Sequence, residues 1–412
     1  MTRPTSPAAS PLRGRYLVRN RLWNAWLHVN DAALRVLHAP NGAHSAHEAP
    51  RRVLVAVGGH LGDAVIATAH LSQLARAFPG VEIGIVCGSW SRMVFESHPR
   101  VRWIHVLDHW KLNRDRGGGG GGGGGALRRW LTARRTRARA LAEIREVGYD
   151  AAIDLAAYFP NSARLLWKAG IPVRVGYTSG GDGPLYTHAV PWSARNHVLD
   201  EHAALLAQLA PAAGTDTPAR YALGIVPHRA AAGAAEKLES AGLSQRSYVV
   251  VHMGAGQTRK EWPSEKWTSV LRELGALGFR CVLTGAGAAQ SELARGVAES
   301  VPGTVNFSDR LDWNEFRAVI AAARLVLSVD TVAAHLAGAA GTPCVVLMTG
   351  MDVPERWRAV GGGAGGGALV TILSERVACA PCYRSRGCAE MSCIRDVAPQ
   401  AVIAAARNHL NV

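Results

Sequence analysis

Residues 325–350, LVLSVDTVAAHLAGAAGTPCVVLMTG, constrain the fold more than any other stretch of the chain. The first five are almost continuously apolar, the pattern of a strand covered on both faces. Asp330 and Thr331 end that run, a helix of small residues follows, and 344–348 reads as a second buried strand. Two buried strands joined through one short helix call for a parallel sheet with helices on its faces. Thr331 is a natural capping residue, and Thr331 and His335, four apart, share one helix face. A helix that starts where a parallel strand ends offers free N–H groups and a favourable dipole to an anion. The plainer reading is that Asp330 caps an ordinary strand–helix–strand unit.

The same unit recurs along the chain. Residues 53–57 read as a strand that runs into Gly58-Gly59-His60-Leu61-Gly62-Asp63 and then a helix ended by Phe78-Pro79-Gly80, with a strand at 81–86. This βαβ opens with a glycine loop, a usual place for a phosphate or a reacting group. It is not G-x-G-x-x-G, and no acidic residue closes the second strand, so a nicotinamide enzyme is the weaker reading. Strands at 101–106, 151–155 and 171–177 and a helix at 197–209 continue the first half. The second half begins afresh with a strand at 248–252 and the turn Met253-Gly254-Ala255-Gly256. Lys260, Trp262 and Pro263 come next, then a helix at 264–277 capped by Ser264 and a strand at 280–283. A helix containing Glu292 and another at 313–323 lead into the opening stretch.

The expected fold is therefore α/β, two doubly wound Rossmann-like domains facing a central cleft. Its 412 residues suffice for both. We expect the first domain at 51–230 and the second at 231–398, with a closing helix at 399–412. The linker falls at 211–218 and the Ala/Gly-rich residues after it, placing the boundary near 215–245. Nine glycines at 117–125 read as a disordered insert, 128–139 as a solvated basic helix face, and 361–367 as a second glycine-rich flexible piece.

Residues 1–50 read as a basic amphipathic extension. Arg13, Arg15, Arg19, Arg21 and Arg35 alternate with Leu17, Leu22, Trp23, Trp26, Leu27, Leu34 and Leu37, so a helix over 19–38 would suit an anionic lipid surface. The alternative is that its apolar side packs on the body. No apolar run reaches the roughly 18 residues of a membrane span, and the N-terminus shows no secretory signal. The expected location is cytoplasmic, with seven cysteines mostly reduced. The formal charge of +15 favours anionic partners. Neither zinc-finger spacing nor an aromatic RNA-binding signature points to nucleic acid. Cys379, Cys382, Cys388 and Cys393 follow C-x2-C-x5-C-x4-C; a structural zinc, disulfides or plain thiols are open, with disulfides disfavoured in the cytoplasm.

Gly62-Asp63, Lys260-x-Trp262-Pro263 and Asp330-Thr331-x-x-x-His335, in this order, make the chain resemble the family 9 glycosyltransferases, the heptosyltransferases of the lipopolysaccharide inner core. Thr68, Phe78-Pro79, Tyr149-Asp150 and the cysteine-rich tail belong to the same resemblance, which covers about residues 52–400. It implies a GT-B fold and metal-independent, inverting transfer of a sugar from a nucleotide-sugar, typically ADP-heptose, to a lipopolysaccharide or related glycolipid acceptor. No cofactor is expected, and the enzyme would sit peripherally at the inner face of the bacterial inner membrane. By the same resemblance Asp63 is the general base. Lys260 meets the donor diphosphate, while Asp330, Thr331 and His335 form the donor-binding turn and Glu292 is an acidic donor contact. Gly254 and Gly256 stand in the glycine turn that opens the donor side. Three positions depart from the family pattern. Val57 replaces an arginine, Ala69 a proline, and Val332 the glycine after Asp-Thr. The rival readings are a non-catalytic nucleotide-sugar binder on the same fold, or a hydrolase or epimerase of GT-B shape.

The absence of an Asp-x-Asp pair fits a transferase that holds no metal by that device. Glycosyl transfer needs a base for the acceptor hydroxyl and positive potential for the departing diphosphate. Asp63 just past a strand end, and Lys260 beside a helix N-terminus, are the residue types for those two tasks.

Overall fold

The computed structural model describes residues 16–18, 20–37, 49–112, 124–193, 196–210, 219–361, 369–384 and 387–412. Arg13, Arg15, Arg19, linker residues 211–218 and nearly all of the second glycine stretch lie outside them. So does the insert 117–125, except for its last two residues, which open a helix.

The first domain carries strands β1 (Arg52–Val57), β2 (Glu82–Cys87), β3 (Val101–Val106), β4 (Ala151–Asp154), β5 (Val173–Tyr177) and β6 (His188–Val190). Its helices are α1 (Arg21–Leu37), α2 (Leu61–Ala77), α3 (Gly124–Val147), α4 (Ala163–Lys168) and α5 (Val198–Leu209). The second carries β7 (Tyr248–His252), β8 (Arg280–Leu283), β9 (Val305–Asn306), β10 (Leu325–Val329), β11 (Cys344–Leu347) and β12 (Val370–Leu373). Its helices are α6 (His228–Ser240), α7 (Ser264–Ala276), α8 (Ala288–Ser300), α9 (Trp313–Ala322), α10 (Val332–Ala340), α11 (Ser392–Arg395) and α12 (Pro399–Leu410).

The two sheets are copies of one topology. The first runs β3-β2-β1-β4-β5-β6 and the second β12-β11-β10-β7-β8-β9; counted within each domain, both are the doubly wound order 3-2-1-4-5-6. Among the described residues every strand ladder is parallel, as in the register Val53↔Ile83 and Leu327↔Val251. The strands next to each point of order reversal are the most buried: residues 53–56 and 248–251 are at most 1% exposed, and every residue of β10 is buried. Such runs are apolar without alternation because helices cover both faces. Ligands in this architecture bind outside the carboxyl ends of those strands, after β1 and β4 in one domain and after β7 and β10 in the other.

Two expectations change. The Ala-rich residues after 218 are not linker, since α6 buries Ala234 and Leu238 and packs on α9, with Lys237 paired to Glu315. Alanine is the best helix former, and here a buried stripe gives it a partner. The closing helix α12 packs on α7 and the second sheet, with Arg407 Nη2 donating to Glu273 Oε1 at 2.7 Å, so it is part of the second domain.

The described part of the N-terminal extension, 16–18 and 20–37, also packs on the body, the alternative set out for it above. Helix α1 buries Leu27, Asp31 and Leu34 against the first domain. Asp31 accepts from Tyr16 Oη at 2.7 Å and from the Asp182 amide at 2.9 Å, and Arg164 reaches Asn30 Oδ1 at 2.7 Å.

Candidate active site

The carboxyl ends of both sheets open onto a cleft of about 2190 Å³. On the first domain, β1 ends at Val57 and the glycine loop turns into α2. Asp63 stands in the first turn of that helix, where its Oδ2 accepts from the His60 amide at 2.7 Å. A side chain at Gly59 (φ +134) would come 2.4 Å from the Asp63 carboxylate, so only glycine allows this turn. Trp90 Nε1 donates to the Gly59 carbonyl at 2.8 Å and fixes the loop from outside. Asp63 is partly buried and lines the cleft. Desolvation raises its pKa above the usual carboxylate range; the His60 amide and Lys260 oppose this, while Asp330 adds to it. The charges of Lys260 and Asp330 on the opposite domain are thus felt at this carboxylate.

On the second domain, Trp262 is almost fully buried, edge-on to Trp267 at 4.9 Å, with Nε1 donating to the Val397 carbonyl at 3.2 Å. Pro263 precedes α7 as its N-cap residue, one position before the Ser264 expected there. Anchored by these two, the preceding 3-10 turn holds Lys260 at the cleft wall. Lys260 Nζ donates to Asp330 Oδ2 at 2.5 Å and approaches the Asp330 carbonyl at 3.5 Å. The two residues expected to meet the donor separately are therefore an ion pair.

Thr331 occupies the N-cap position of α10, but its hydroxyl pairs with Ser328 Oγ at 3.1 Å and does not cap the helix. The N-terminus of α10 thus opens on the cleft without a side-chain cap, and Val332 is its first residue there. His335, one turn on, is buried, and its Nδ1 lies 2.9 Å from Tyr221 Oη. Burial lowers its pKa to about 4, so the ring is neutral at physiological pH. A Cβ on Gly62 would sit 3.3 Å from His335 Cδ2, so α2 and α10 touch at this point.

Gly254 and Gly256 both line the cleft, and Gly254 leaves room for the side chain of Gln290, whose Oε1 accepts from Ala286 N at 3.1 Å. Glu292 does not join them. Two positions further along α8, its side chain is 71% exposed and paired with Arg295, away from the cleft. A two-residue step on a helix turns a side chain by about 200°, which is the whole difference. Other cleft residues were not singled out from sequence: His252 Nδ1 with Thr284 Oγ1 at 3.0 Å, and Gln257 and Arg259. His252 ends β7 and Thr284 follows β8, so the strand-end rule could have found them. Gln257 Oε1 and Arg259 Nε are buried with no hydrogen-bond partner among the described residues.

Residues 137–390 match glycosyltransferase family 9 (heptosyltransferase) as a family. The chain belongs to that family. The chain is 29% identical over 172 residues to lipopolysaccharide heptosyltransferase 3 of Escherichia coli, a match spanning 40% of this chain and about half (48%) of that relative's length. It is 26% identical over 340 residues to lipopolysaccharide heptosyltransferase 1 of Pseudomonas aeruginosa, spanning 81% of this chain and 86% of the relative. The solved Escherichia coli heptosyltransferase WaaC with ADP superposes with a TM-score of 0.63 at 19% identity, covering 87% of this chain and 99% of that one.

Family membership agrees with the GT-B architecture of two facing Rossmann-like domains. Cys379, Cys382, Cys388 and Cys393 form no disulfide among the described residues, with Cys379 exposed and Cys393 buried. Burial, and after it the neighbouring thiols of Cys382, Cys388 and Cys379, raise the pKa of Cys393. Among the described residues no group of three or more His, Cys, Asp or Glu is arranged to hold a metal ion, so of the alternatives left open for these cysteines the structural zinc gains no support from the geometry.

Proposed function

We propose that the chain transfers a heptose-type sugar from a nucleotide-sugar, ADP-heptose in the first instance, to a glycolipid acceptor of the lipopolysaccharide-core type, with inversion. One observation carries this reading: the Asp63 carboxylate of the first domain shares a cleft with the Lys260–Asp330 pair and the uncapped N-terminus of α10 in the second. In this reading Asp63 takes the proton of an acceptor hydroxyl as that oxygen attacks the anomeric carbon. The bond to the donor diphosphate breaks on the opposite face, and its electrons leave with the phosphate oxygen. Lys260 and the first N–H groups of α10 stabilise the charge that develops there, the kind of contribution that is commonly largest. Asp330 holds Lys260 in place, and neutral His335 braces the turn against α2. Arg259 and Gln257 line the cleft beside Lys260 and are the next residues to test for contact with the nucleotide. The ADP bound to WaaC makes an adenine nucleotide the first donor to try.

A membrane-borne acceptor fits a peripheral position at the inner membrane, and among the described residues no helix is long and apolar enough to cross one. The test is turnover of ADP-heptose with and without a lipid-linked acceptor. Sugar transfer only when acceptor is present supports the reading. Equal nucleotide release without it would make the chain a hydrolase, and binding without release a nucleotide-sugar binder.

A further inference from the structure

Helix α1 has two apolar faces. One, through Leu27 and Leu34, is buried on the first domain. The other is open: Leu22, Val29, Val36 and Leu37 are 69–84% exposed, and Trp26 is 46% exposed. At 100° per residue, Leu22, Trp26, Val29, Ala33 and Val36 fall on one stripe, opposite the direction of Leu27 and Asp31. Arg21 and Arg35 both lie to one side of it, and the only acidic residue of the helix, Asp31, is buried beneath.

Helix α3 repeats the pattern. Its exposed first turns carry Leu127, Trp130 and Leu131. Six arginines and no acidic residue occur over 124–142, and Arg134 stacks on Trp130 at 5.3 Å. Both helices cover the same face of the first sheet, since Leu34 of α1 and Ala140 of α3 belong to one apolar cluster. Both also reach the cleft mouth, where Trp23, Lys111, Arg128 and Arg129 line it and Trp110 is half exposed. Isolated exposed apolar residues need no explanation, but two apolar stripes with arginines beside them, on helices that cover one sheet face, do.

We propose that the exposed stripe of α1 and the first turns of α3 form one docking surface for an anionic lipid bilayer, which presents a membrane-borne acceptor to the first-domain side of the cleft. The proposal rests on the reading of a glycolipid acceptor above. Charge complementarity selects the occupant. A second copy of this chain would bring arginine against arginine, whereas anionic headgroups pair with the arginines while the apolar stripes enter the interface. Basic residues near such a surface add electrostatic attraction, and an in-plane helix inserts its apolar face about 5–10 Å. Because the same helix buries Leu27, Asp31 and Leu34, binding and folding cannot be separated by deleting it. Point changes on the open stripe can separate them.

The experiment is vesicle flotation of the full chain, without donor or acceptor, on phosphatidylcholine vesicles with and without 40% phosphatidylglycerol. Three forms are compared: the parent, Leu22→Gln/Val29→Gln/Val36→Gln, and Leu127→Gln/Leu131→Gln. The expected result is binding of the parent to anionic vesicles only, weakened by salt, and at least a tenfold loss in both variants with unchanged melting temperature. Parent-like flotation of the variants, or no flotation of the parent, overturns the proposal. So does parent dimerisation in lipid-free sedimentation that the variants abolish, which would make the stripe a protein interface. Since no substrate is present, failure of the transfer chemistry would leave these results untouched.

Discussion

The two halves share one strand order and diverge at the point where that order reverses. After β1 the first domain has a glycine loop, a carboxylate and aromatic neighbours; after β7 and β10 the second has a lysine, an uncapped helix N-terminus and small residues. In the proposed reading the first accepts a proton and the second receives an anion. Topology therefore sets where a ligand lies, and a few residues past the strand ends set what each half does to it.

The sharpest way to break this division is at Lys260. Lys260→Ala should weaken nucleotide-sugar binding by about 1.5–3 kcal/mol, the range for hydrogen bonds to charged groups, read by calorimetric titration. Asp330→Asn should cost less, because Lys260→Ala leaves the Asp330 carboxylate unpaired before the diphosphate. The double variant should fall short of additivity, as expected for residues in direct contact. Unchanged donor affinity in both single variants would remove the second domain from its assigned task.

A second test uses pH. As a base Asp63 works only when ionised, so kcat/KM should fall about tenfold per pH unit below its pKa, which desolvation holds above the usual 3.8. The linked effect on stability has the opposite sense. With a folded pKa raised above its unfolded value, the group favours folding when protonated, and that contribution is lost as pH rises through the folded pKa. Asp63→Asn should therefore melt no lower than the parent at neutral pH, where the charged form is the costly one. A lower melting temperature would mean that the carboxylate serves chiefly as a helix cap. The smallest expected effect is at Val332. Glycine at this first position of α10 should lower stability by about 0.5 kcal/mol through helix propensity while leaving Asp63-dependent chemistry in place, measured by melting and turnover together.

Much of this was legible in the chain. Strands β7, β8 and β10 match expectation residue for residue, because buried parallel strands are short unbroken apolar runs bounded by glycine or acid. Strands β6, β9 and β12 were missed; they are two to four residues long with mixed exposure, and their pairing comes from the neighbouring strand. Helix α6 falls where the composition reads as linker, because alanine and glycine look alike as punctuation when the partner α9 is out of sight. At the site, Asp63, Lys260, Asp330, Thr331, His335, Gly254 and Gly256 come together in the cleft. Glu292 does not, and Gln290 does, a distinction that depends on helix phase. The pairing of Lys260 with Asp330, seventy residues apart, and of Tyr221 with His335 had no local signal.

The claim that the first domain supplies the proton acceptor is tested most directly by single-turnover transfer in Asp63→Asn, with donor and acceptor both saturating and donor affinity measured on the same sample. The account predicts donor affinity within a few-fold of the parent and a transfer rate lower by about 10²–10⁴-fold, the usual cost of removing a general base. A rate within a few-fold of the parent would contradict it, leaving Asp63 as the cap of α2 and the proton to another group.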